Sequence, residues 1–454
     1  MSAVEVERLR TTFAGGRTRP LEWRLDQLRR VEEMLTSGEQ RIAAALAEDL
    51  GRPATDSFLG DIAPTLAEAR YARKHLRSWD RPQRVRVPLS QLPGQAWYDY
   101  EPLGVVLVIG PWNYPVYLTI GPLVAAIAAG NCAVLKPSEH APATAAVIAD
   151  LVAEHLDRDA FAVVQGGPEV TQDVLVQGMD HAFFTGGPEI GKAIMRAAAE
   201  HLTPVTLELG GKCPAYVAAD ADLDVTARRI AWTKLLNSGQ TCIAPDYLMV
   251  DVRVRDAFLP KLTKAFTDLS PGGDGGRSLP IVSTRHAERL AGLLTDHGGT
   301  VVLGGGSSPA DRAVDLTIVS EPRHDAAIMQ EEIFGPLLPV VTVHSAGDAI
   351  DKVRSGPKPL AAYVFTESSE VEDTFRREVA AGAIVANHAA MHVLVPSLPF
   401  GGVGNSGMGS YHGKFGFETF SHRKAHLRRP SKPDLRVVYP PYSKVTERLL
   451  RLIF

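Results

Sequence analysis

The first part of the chain carries apolar residues at spacings of three and four. Up to about residue 79 this pattern recurs, as in Ile42, Ala45, Leu46 and Leu50, with Asp49 on the same helical face and no sustained alternation of apolar and polar positions. Such spacing places apolar side chains on one face of an α-helix. The pattern predicts an N-terminal segment of helices.

The pattern changes between residues 84 and 101. Val85, Val87 and Leu89 alternate with arginine and proline, and Pro93 with Gly94 gives a turn signal before the next apolar stretch. Two such segments around a turn are typical of a β-hairpin. We expect this hairpin to protrude from the rest of the protein.

From Val105 onward, short β-rich apolar runs alternate with helical segments. The runs cover residues 105–109, 133–135, 161–164 and 182–184. Strands separated by helices predict a parallel, doubly wound sheet whose strands are buried on both faces. In such sheets, ligands bind beyond the carboxyl ends of the strands.

A second alternating unit begins after Gly211. Its pattern predicts a helix over 222–238, a strand over 247–251, a helix near 256–268 and further segments to about residue 386. We interpret this unit as a second α/β domain. The last fifty residues are glycine-rich and then strand-like over 417–420 and 425–427, which favours a crossing or oligomer-forming strand.

Composition and charge exclude several classes of protein. Apolar residues make up 45% and charged residues 22% of the 454 positions, as in a soluble globular protein. The net charge is −4 with interspersed signs, so no basic stripe is available for nucleic acid. The short basic runs at 81–86 and 423–429 are interpreted as solvated faces or strand edges.

The cysteines and the N-terminus indicate the compartment. Cys132, Cys213 and Cys242 are widely separated and lack CxxC spacing, which is typical of a reducing compartment. The N-terminus has no apolar core of signal-peptide length, and no run of about 18 apolar residues could span a membrane. We therefore expect a cytoplasmic protein without a membrane span.

Three polar side chains follow predicted strands or lie in a loop of small residues. Cys242 lies in the loop 237–246, Glu208 stands between two leucines before Gly210, and Asn113 begins a turn after the strand 105–109. Alone, a cysteine at such a position is more often a buried structural thiol. A carboxylate between apolar neighbours has a raised pKa and becomes a useful base. Together, the three groups suggest a thiol nucleophile served by a carboxylate.

Six ordered motifs carry a resemblance to a known family. They read PWNYP, LKPSE, LELGGK, GQTC, EEIFGP and PFGGVGNSG, and they lie between about residues 100 and 420. In this order they resemble the aldehyde dehydrogenase superfamily, and the sequences around Cys242 and after Gly402 are similar to its class 3 branch. The resemblance implies an enzyme that oxidises an aldehyde to a carboxylic acid with NAD or NADP.

The resemblance also implies a role for each of the three polar groups. Cys242 would attack the aldehyde to give a hemithioacetal, and Asn113 would donate to the resulting oxyanion. After hydride transfer leaves a thioester, Glu208 would activate the water that hydrolyses it. His388 and His392 are the rival bases to consider near the substrate end, but neither displaces Glu208.

For the cofactor, the resemblance implies contacts at three places. Lys136 and Glu139 would meet the adenosine ribose, where the lysine suits a 2′-phosphate and the glutamate a free hydroxyl, so NAD and NADP both stay open. Phosphate contacts are expected at the start of the helix that follows the strand 182–184, at Gly186, Gly187 and Gly191. In the 331–336 loop, Glu332 would meet the nicotinamide ribose and Phe334 would pack beside it. Gly187 replaces the hydroxyl residue more usual in the family, which leaves one phosphate contact in doubt. No metal is needed or expected.

The 402–407 segment satisfies G-x-G-x-x-G literally, but no βαβ unit surrounds it. We interpret it as a flexible substrate-side loop. Tyr114, Tyr117, Trp232 and His392 are candidates for an apolar substrate tunnel, or equally for core packing.

These features together predict an α/β protein with two doubly wound domains and a protruding β oligomerisation segment. Residues 1–83 and 102–209 would form the cofactor-binding domain and residues 210–395 the catalytic domain, while 84–101 and 396–430 would bridge subunits. The resemblance implies a homodimer. Two other functions stay open, a cofactor-independent thiol esterase on the same scaffold and a non-catalytic binding protein.

Overall fold

The structure, a computed structural model, describes residues 3–270 and 279–453. The α-helices in chain order are α1 (Ala3–Ala14), α2 (Leu21–Ser37), α3 (Glu39–Leu50), α4 (Ala54–Ser57), α5 (Ala63–Trp79), α6 (Tyr117–Ala129), α7 (Pro142–His155), α8 (Pro168–Leu175), α9 (Pro188–Ala199), α10 (Leu223–Leu235), α11 (Arg255–Leu269), α12 (Thr284–Leu293), α13 (Ala327–Gln330), α14 (Ala346–Arg354), α15 (Ser369–Glu378), α16 (Gly413–Thr419) and α17 (Lys444–Ile453).

The strands in chain order are β1 (Gln83–Val85), β2 (Gln95–Pro102), β3 (Val105–Ile109), β4 (Cys132–Lys136), β5 (Phe161–Val163), β6 (His181–Gly186), β7 (Val205–Leu209), β8 (Pro214–Val217), β9 (Tyr247–Asp251), β10 (Thr300–Leu303), β11 (Ser307–Ser308), β12 (Ala313–Val314), β13 (Thr317–Ser320), β14 (Leu337–Val343), β15 (Ala361–Phe365), β16 (Ala383–Ala386), β17 (Gly407–Met408) and β18 (Ser421–Arg428). A π-helical turn at Phe58–Ile62 joins α4 to α5, and 3₁₀ turns occur at Leu236–Gly239 and Met391–Leu394.

The first large sheet has the strand order β17-β7-β6-β3-β4-β5. Strands β3 to β7 pair in parallel, and β17 pairs antiparallel with β7. Every residue of β3 and β4 is buried. Continuous burial is the pattern of strands covered on both faces, and it explains why these runs lack alternation.

The second large sheet has the strand order β10-β13-β14-β9-β8-β15-β16. All its neighbours pair in parallel except β10, which is antiparallel to β13. The predicted α/β class with two parallel sheets is confirmed. The domain boundaries stay predictions.

A separate three-stranded sheet has the order β1-β2-β18. The predicted hairpin is present, because residues 83–85 pair antiparallel with 96–98. On its other edge β2 pairs with β18 along eight consecutive positions, from Ser421 with Pro102 to Arg428 with Gln95. The assignment of this sheet to subunit contacts stays a prediction.

Two predicted elements differ in the structure. Residues 417–419 belong to helix α16 and not to a strand, because Phe417 and Phe420, three positions apart, are both buried on one side of this turn. The predicted helix over 222–238 ends at Leu235, where the chain enters a 3₁₀ turn with left-handed residues. Over the described ranges, none of the helices is long and apolar enough to cross a membrane.

Candidate active site

Cys242 follows a tight turn that ends α10. Asn237 and Ser238 have φ angles of 51° and 55°, and Gly239 has a φ of 71°. A Cβ atom at Gly239 would lie 2.2 Å from the carbonyl oxygen of Gly335, so only glycine fits there. This turn brings the chain back toward the first sheet and presents Cys242 at a cavity.

The surroundings of Cys242 favour the protonated form of its thiol. Burial and the negative charges of Glu332 and Glu208 raise its pKa to about 12, although the backbone N–H groups of Cys242 and Ile243 favour the thiolate. The side chain is partly buried and lines an apolar cavity. Formation of the thiolate therefore depends on neutralisation of the neighbouring carboxylates or on a group that enters the site.

Asn113 lies beside the Cys242 turn with only 3% of its surface exposed. Its Nδ2 atom donates to the carbonyl oxygen of Gln240 at 3.0 Å. The side chain of Asn237 in turn donates to the Asn113 carbonyl at 3.1 Å and to the Gln240 carbonyl at 3.2 Å. One N–H of the Asn113 amide is thereby fixed, which holds the orientation of the other.

A buried ion pair supports the Asn113 loop from below. Arg52 and Asp61 form a salt bridge with almost no exposed surface. Arg52 also donates to the Asn113 carbonyl and packs 4.7 Å from the ring centre of Tyr114. Asp61 accepts from the backbone N–H groups of Val116 and Tyr117, both at 2.9 Å, and so caps the start of α6.

The cavity at Cys242 has a volume of about 160 Å³. Its walls are mainly aromatic and aliphatic, and they include Tyr114, Tyr117, Leu118, Trp232, Met391 and Phe400. Three of the four proposed tunnel residues are in this set. His392 instead stacks on Phe400, with ring centres 5.7 Å apart.

Glu208 is the fourth residue of β7 and is 3% exposed. Neither of its carboxylate oxygens has a hydrogen-bond partner among the described residues. Burial raises its pKa well above the ordinary value for glutamate. Burial without a hydrogen-bond partner disfavours the ionised form, and a carboxyl group with a raised pKa is a candidate general base.

A second cavity lies at the carboxyl end of β7 and the start of α9. It is lined by residues of the 207–212 segment, by Pro188, Glu189 and Lys192 of α9, and by Glu332. A Cβ atom at Gly187 would meet no other atom within 4 Å, so the space directly before α9 is open. Backbone N–H groups at a helix N-terminus suit a phosphate.

The two flanking glycines have packing roles. A Cβ atom at Gly191 would lie 3.0 Å from the Leu209 side chain, and one at Gly186 would overlap the Phe184 ring at 2.4 Å. Gly191 therefore allows α9 to approach β7 closely. Among the three predicted glycines, Gly187 has the open space that a bound phosphate needs.

Lys136 ends β4 and is 3% exposed. Its Nζ atom contacts Glu139 Oε2 at 2.6 Å. Partial burial opposes ionisation of Glu139, but the hydrogen bond and charge of Lys136 outweigh it and lower the pKa of the carboxyl. The predicted ribose contacts thus lie together at the end of a strand, each satisfied by the other.

The 331–336 loop crosses the second cavity. Burial and the charge of Asp246 raise the pKa of Glu332 to about 8, while the Gly211 N–H opposes the shift. Phe334 has a φ of 50° and packs edge-on against Trp112 with ring centres 5.4 Å apart. Glu332 lines the second cavity and lies close enough to Cys242 for its charge to raise the pKa of the thiol.

Comparison with known proteins decides the family. Residues 5–426 match the model of the aldehyde dehydrogenase family. The chain belongs to the aldehyde dehydrogenase family. It is 44% identical to aldehyde dehydrogenase family 3 member B1 of Bos taurus, over 99% of this chain and 96% of the relative.

Two further comparisons agree with this family. The chain is 44% identical to "Aldehyde dehydrogenase, dimeric NADP-preferring" of Canis lupus familiaris, covering 96% of this chain and 97% of the relative. The solved structure "Substrate bound state of Staphylococcus Aureus AldH" superposes with a TM-score of 0.94 at 37% identity and covers all of both chains. The predictions of a class 3-like aldehyde dehydrogenase and of NAD or NADP as its cofactor are confirmed.

The 402–407 segment lies beside the second cavity, which Gly404 and Asn405 help to line. Its interpretation as a flexible substrate-side loop stays a prediction. The segment leads into β17, whose Gly407 pairs with Glu208, and the Ser406 carbonyl accepts from the Leu209 N–H at 3.1 Å. It thus fixes the strand that carries Glu208.

Several residues at the site have roles that the sequence alone did not predict. Arg52 and Asp61 lie in a region interpreted only as helices, and their roles depend on a contact with the 113–117 loop some 60 positions away. Lys212 forms an ion pair with Asp246 and donates to the Glu331 carbonyl at 2.8 Å, while Asp246 accepts from the Ile333 N–H at 2.8 Å. The lysine that ends LELGGK thus anchors the loop of Glu332. Across residues 3–270 and 279–453, no group of side chains is arranged to hold a metal ion.

Proposed function

We propose that this aldehyde dehydrogenase oxidises its substrate through a covalent thioester on Cys242. The observation that carries the proposal is the position of Cys242 at the end of an apolar cavity. Asn113 lies beside it, and the unpartnered carboxyl group of Glu208 lies close enough for its charge to raise the pKa of the thiol. These are the nucleophile, the oxyanion donor and the base that acyl transfer needs.

In the first step the Cys242 sulfur attacks the carbonyl carbon and a hemithioacetal forms. The thiol proton passes to a neighbouring carboxylate, whose raised pKa makes it a competent acceptor. The Asn113 amide and the Cys242 backbone N–H stabilise the negative oxygen. Because these donors are already oriented by buried contacts, little reorganisation is needed.

The residues of the second cavity suit a dinucleotide. The open space before α9 would admit a phosphate, Lys136 and Glu139 would hold the adenosine ribose, and Glu332 would meet the nicotinamide ribose. When bound, NAD or NADP supplies the acceptor for the hydride that the hemithioacetal loses. Glu139 favours a free ribose hydroxyl and Lys136 would accept a 2′-phosphate, so this pair sets the preference between them.

Hydrolysis then releases the carboxylic acid. Glu208 takes a proton from water, and the resulting hydroxide attacks the thioester carbon and displaces the Cys242 sulfur. Because burial raises the pKa of Glu208, the carboxyl is protonated and inactive as a base at low pH. The hydrolysis rate should therefore rise with pH through that raised pKa.

The substrate class follows from the first cavity. Its volume of about 160 Å³ is close to the roughly 150 Å³ of an engineered apolar cavity that binds benzene. Aromatic walls and few polar groups favour aromatic or medium-chain aliphatic aldehydes. We also propose a homodimer formed through the β1-β2-β18 sheet, for which light scattering should report twice the 48.9 kDa of one chain. A cytoplasmic location stays a prediction.

The proposal is tested with purified protein, benzaldehyde or hexanal, and NAD or NADP. We expect nicotinamide absorbance to grow in wild type and to be lost in Cys242→Ala, while Cys132→Ala serves as a matched cysteine control. No reduction with any aldehyde would contradict the proposal. Ester hydrolysis without nicotinamide binding would favour the thiol esterase.

A further inference from the structure

A buried chain of three side chains lies behind the wall of the substrate cavity. Tyr117 is the first residue of α6, His412 precedes α16, and Glu68 lies on α5. The Tyr117 hydroxyl lies 3.0 Å from His412 Nε2, and His412 Nδ1 lies 3.6 Å from Glu68 Oε1. None of the three has more than 4% of its surface exposed, and none takes part in the proposed chemical steps.

Tyr117 connects this chain to the substrate cavity. Its side chain lines the cavity together with Cys242 and Val393. The same hydroxyl lies 3.3 Å from the Val393 carbonyl oxygen, which belongs to the 3₁₀ turn Met391–Leu394. One oxygen atom therefore has two partners, and it has only one proton to donate.

The backbone around His412 is fixed in an unusual conformation. His412 has a φ of 79°, which residues other than glycine rarely adopt. The next N–H, from Gly413, donates to Glu68 Oε2 at 3.2 Å. The His412 Nδ1 atom is buried and has no hydrogen-bond partner among the described residues. A small movement of Glu68 Oε1 toward Nδ1 would give this nitrogen a hydrogen-bond partner.

If Glu68 Oε1 moves from 3.6 Å to within hydrogen-bond distance of His412 Nδ1, two arrangements of protons satisfy the three side chains. Burial lowers the pKa of His412 to about 3, so the ring is neutral, and burial raises the pKa of Glu68 to about 7. When Glu68 is protonated, its O–H donates to Nδ1, the Nε2–H donates to the Tyr117 oxygen, and the tyrosine O–H donates to the Val393 carbonyl. The chain then holds three protons.

When Glu68 loses its proton to solvent, the chain holds two. The neutral ring must then carry its proton on Nδ1 to face the carboxylate, so Nε2 becomes an acceptor. The Tyr117 O–H turns to Nε2, and the Val393 carbonyl loses its donor. Ionisation of Glu68 therefore removes one hydrogen bond from the wall of the cavity.

Other ionisable groups lie around the Glu68–His412 contact. His392 lowers the pKa of His412 further, but burial lowers its own pKa to about 4, so His392 is neutral near pH 7. Tyr411 and Tyr117 keep their protons, because burial and the charge of Glu68 raise the pKa of both phenols. On the turn before α5, Asp61 is paired with Arg52. On the α2 side, the arginines of α5 pair with Glu32 at the surface.

We propose that Glu68, His412 and Tyr117 are positioning residues that hold the Val393 wall of the substrate cavity, firmly when Glu68 is protonated and less firmly when it is ionised. The affinity for an apolar aldehyde then falls as pH rises through the titration of Glu68. The inference rests on the proposed use of this cavity for the aldehyde.

The Glu68→Gln substitution tests the inference. The glutamine amide keeps the protonated arrangement at every pH, because its oxygen accepts from Gly413 and its nitrogen donates to His412. KM for benzaldehyde is measured between pH 5.5 and 8.5 at saturating nicotinamide. We expect the ratio of wild-type KM to Glu68→Gln KM to rise about two- to tenfold across this range, the size of one hydrogen bond.

Tyr117→Phe keeps the ring and removes the hydroxyl, so it is the matched control. In the Tyr117→Phe background, Glu68→Gln should leave the pH dependence of KM unchanged. A ratio that stays constant with pH, or one that changes equally in both backgrounds, would overturn the inference.

A second readout needs no turnover. Nitrogen-15 NMR of labelled histidine, assigned by loss of one signal in His412→Gln, reports which ring nitrogen carries the proton. We expect the His412 tautomer to change near pH 7 in wild type but not in Glu68→Gln. One tautomer throughout would overturn the inference. A tautomer change in a protein that oxidises no aldehyde would instead contradict the proposed function.

Discussion

The buried Arg52–Asp61 pair offers a quantitative test of how Asn113, the proposed oxyanion donor, is held. We consider Arg52→Met, which keeps much of the side-chain volume but removes the charge. Arg52 and Asp61 have 1% and 0% of their side-chain surfaces exposed, so the remaining carboxylate would lie buried without its cation. Removal of one partner of such a pair typically costs about 3–5 kcal/mol.

The remaining contacts of Asp61 set the expected value within this range. Its Oδ1 atom still accepts from the N–H groups of Val116 and Tyr117. The loss in the free energy of unfolding should therefore lie near the lower limit, at about 3 kcal/mol. Burial raises the pKa of Asp61 and the charge of Arg52 opposes this shift, so removal of Arg52 raises the pKa further. The ionised form becomes the unfavourable one, so the loss should be smaller at pH 5 than at pH 8.

Urea unfolding followed by circular dichroism measures the loss. The double variant Arg52→Met with Asp61→Asn removes both charges and keeps an acceptor for the two N–H groups, so it should recover about 2 kcal/mol relative to the single variant. Arg41→Met is the control, since its ion pairs with Asp150 and Glu154 are exposed and its removal should change the stability little.

The kinetic effect should accompany the loss in stability. Arg52 donates to the Asn113 carbonyl, so its removal loosens the oxyanion donor and should lower kcat/KM about tenfold below the unfolding temperature. A loss of stability below 1 kcal/mol, or no recovery in the double variant, would refute the reasoning.

Three further predictions concern the separate parts of the site. Asn113→Ala should lower kcat/KM by about 10²–10³, measured as nicotinamide reduction, and a change below threefold would remove Asn113 from the oxyanion site. Glu139→Gln should raise the NADP to NAD ratio of kcat/KM about tenfold, because the carboxylate no longer repels a 2′-phosphate, and an unchanged ratio would place that contact elsewhere. Gly407→Ala should impair hydrolysis, because Gly407 pairs with Glu208, has a φ of 144°, and a Cβ atom there would lie 2.3 Å from the Leu207 carbonyl oxygen. A kcat of the variant equal to that of wild type would show that β17 does not hold Glu208 in place.

The sequence allowed accurate prediction where local pattern determines structure. Strand β9 and strand β3 match their predicted ranges, since an uninterrupted apolar run bounded by polar residues has one stable arrangement in a parallel sheet. Asn113, Cys242 and Glu208 were placed through the family motifs. The structure adds the physical state of each group, such as the raised pKa of Glu208.

Features that depend on distant contacts were not predictable in this way. Asp49 was placed on a helical face by spacing, but it accepts from the Thr144 N–H at 2.7 Å and so caps α7. Phe417 and Phe420 were predicted to lie in a strand, whereas Phe417 belongs to α16, Phe420 follows it, and both are buried against the rest of the protein. Glu68 gave no signal at all, since its role arises only from its contact with the segment near residue 412.

The central claim is that Cys242 carries the acyl group until Glu208 activates water, and Glu208→Gln tests it most directly. The variant is mixed with aldehyde and NAD, and nicotinamide absorbance is followed while samples are quenched for intact-mass and peptide mass spectrometry. We predict a burst of about one reduced nicotinamide per active site, followed by slow turnover, with the acyl mass located on Cys242. Steady turnover of the variant at the wild-type rate, or a burst without an adduct on Cys242, would contradict the account.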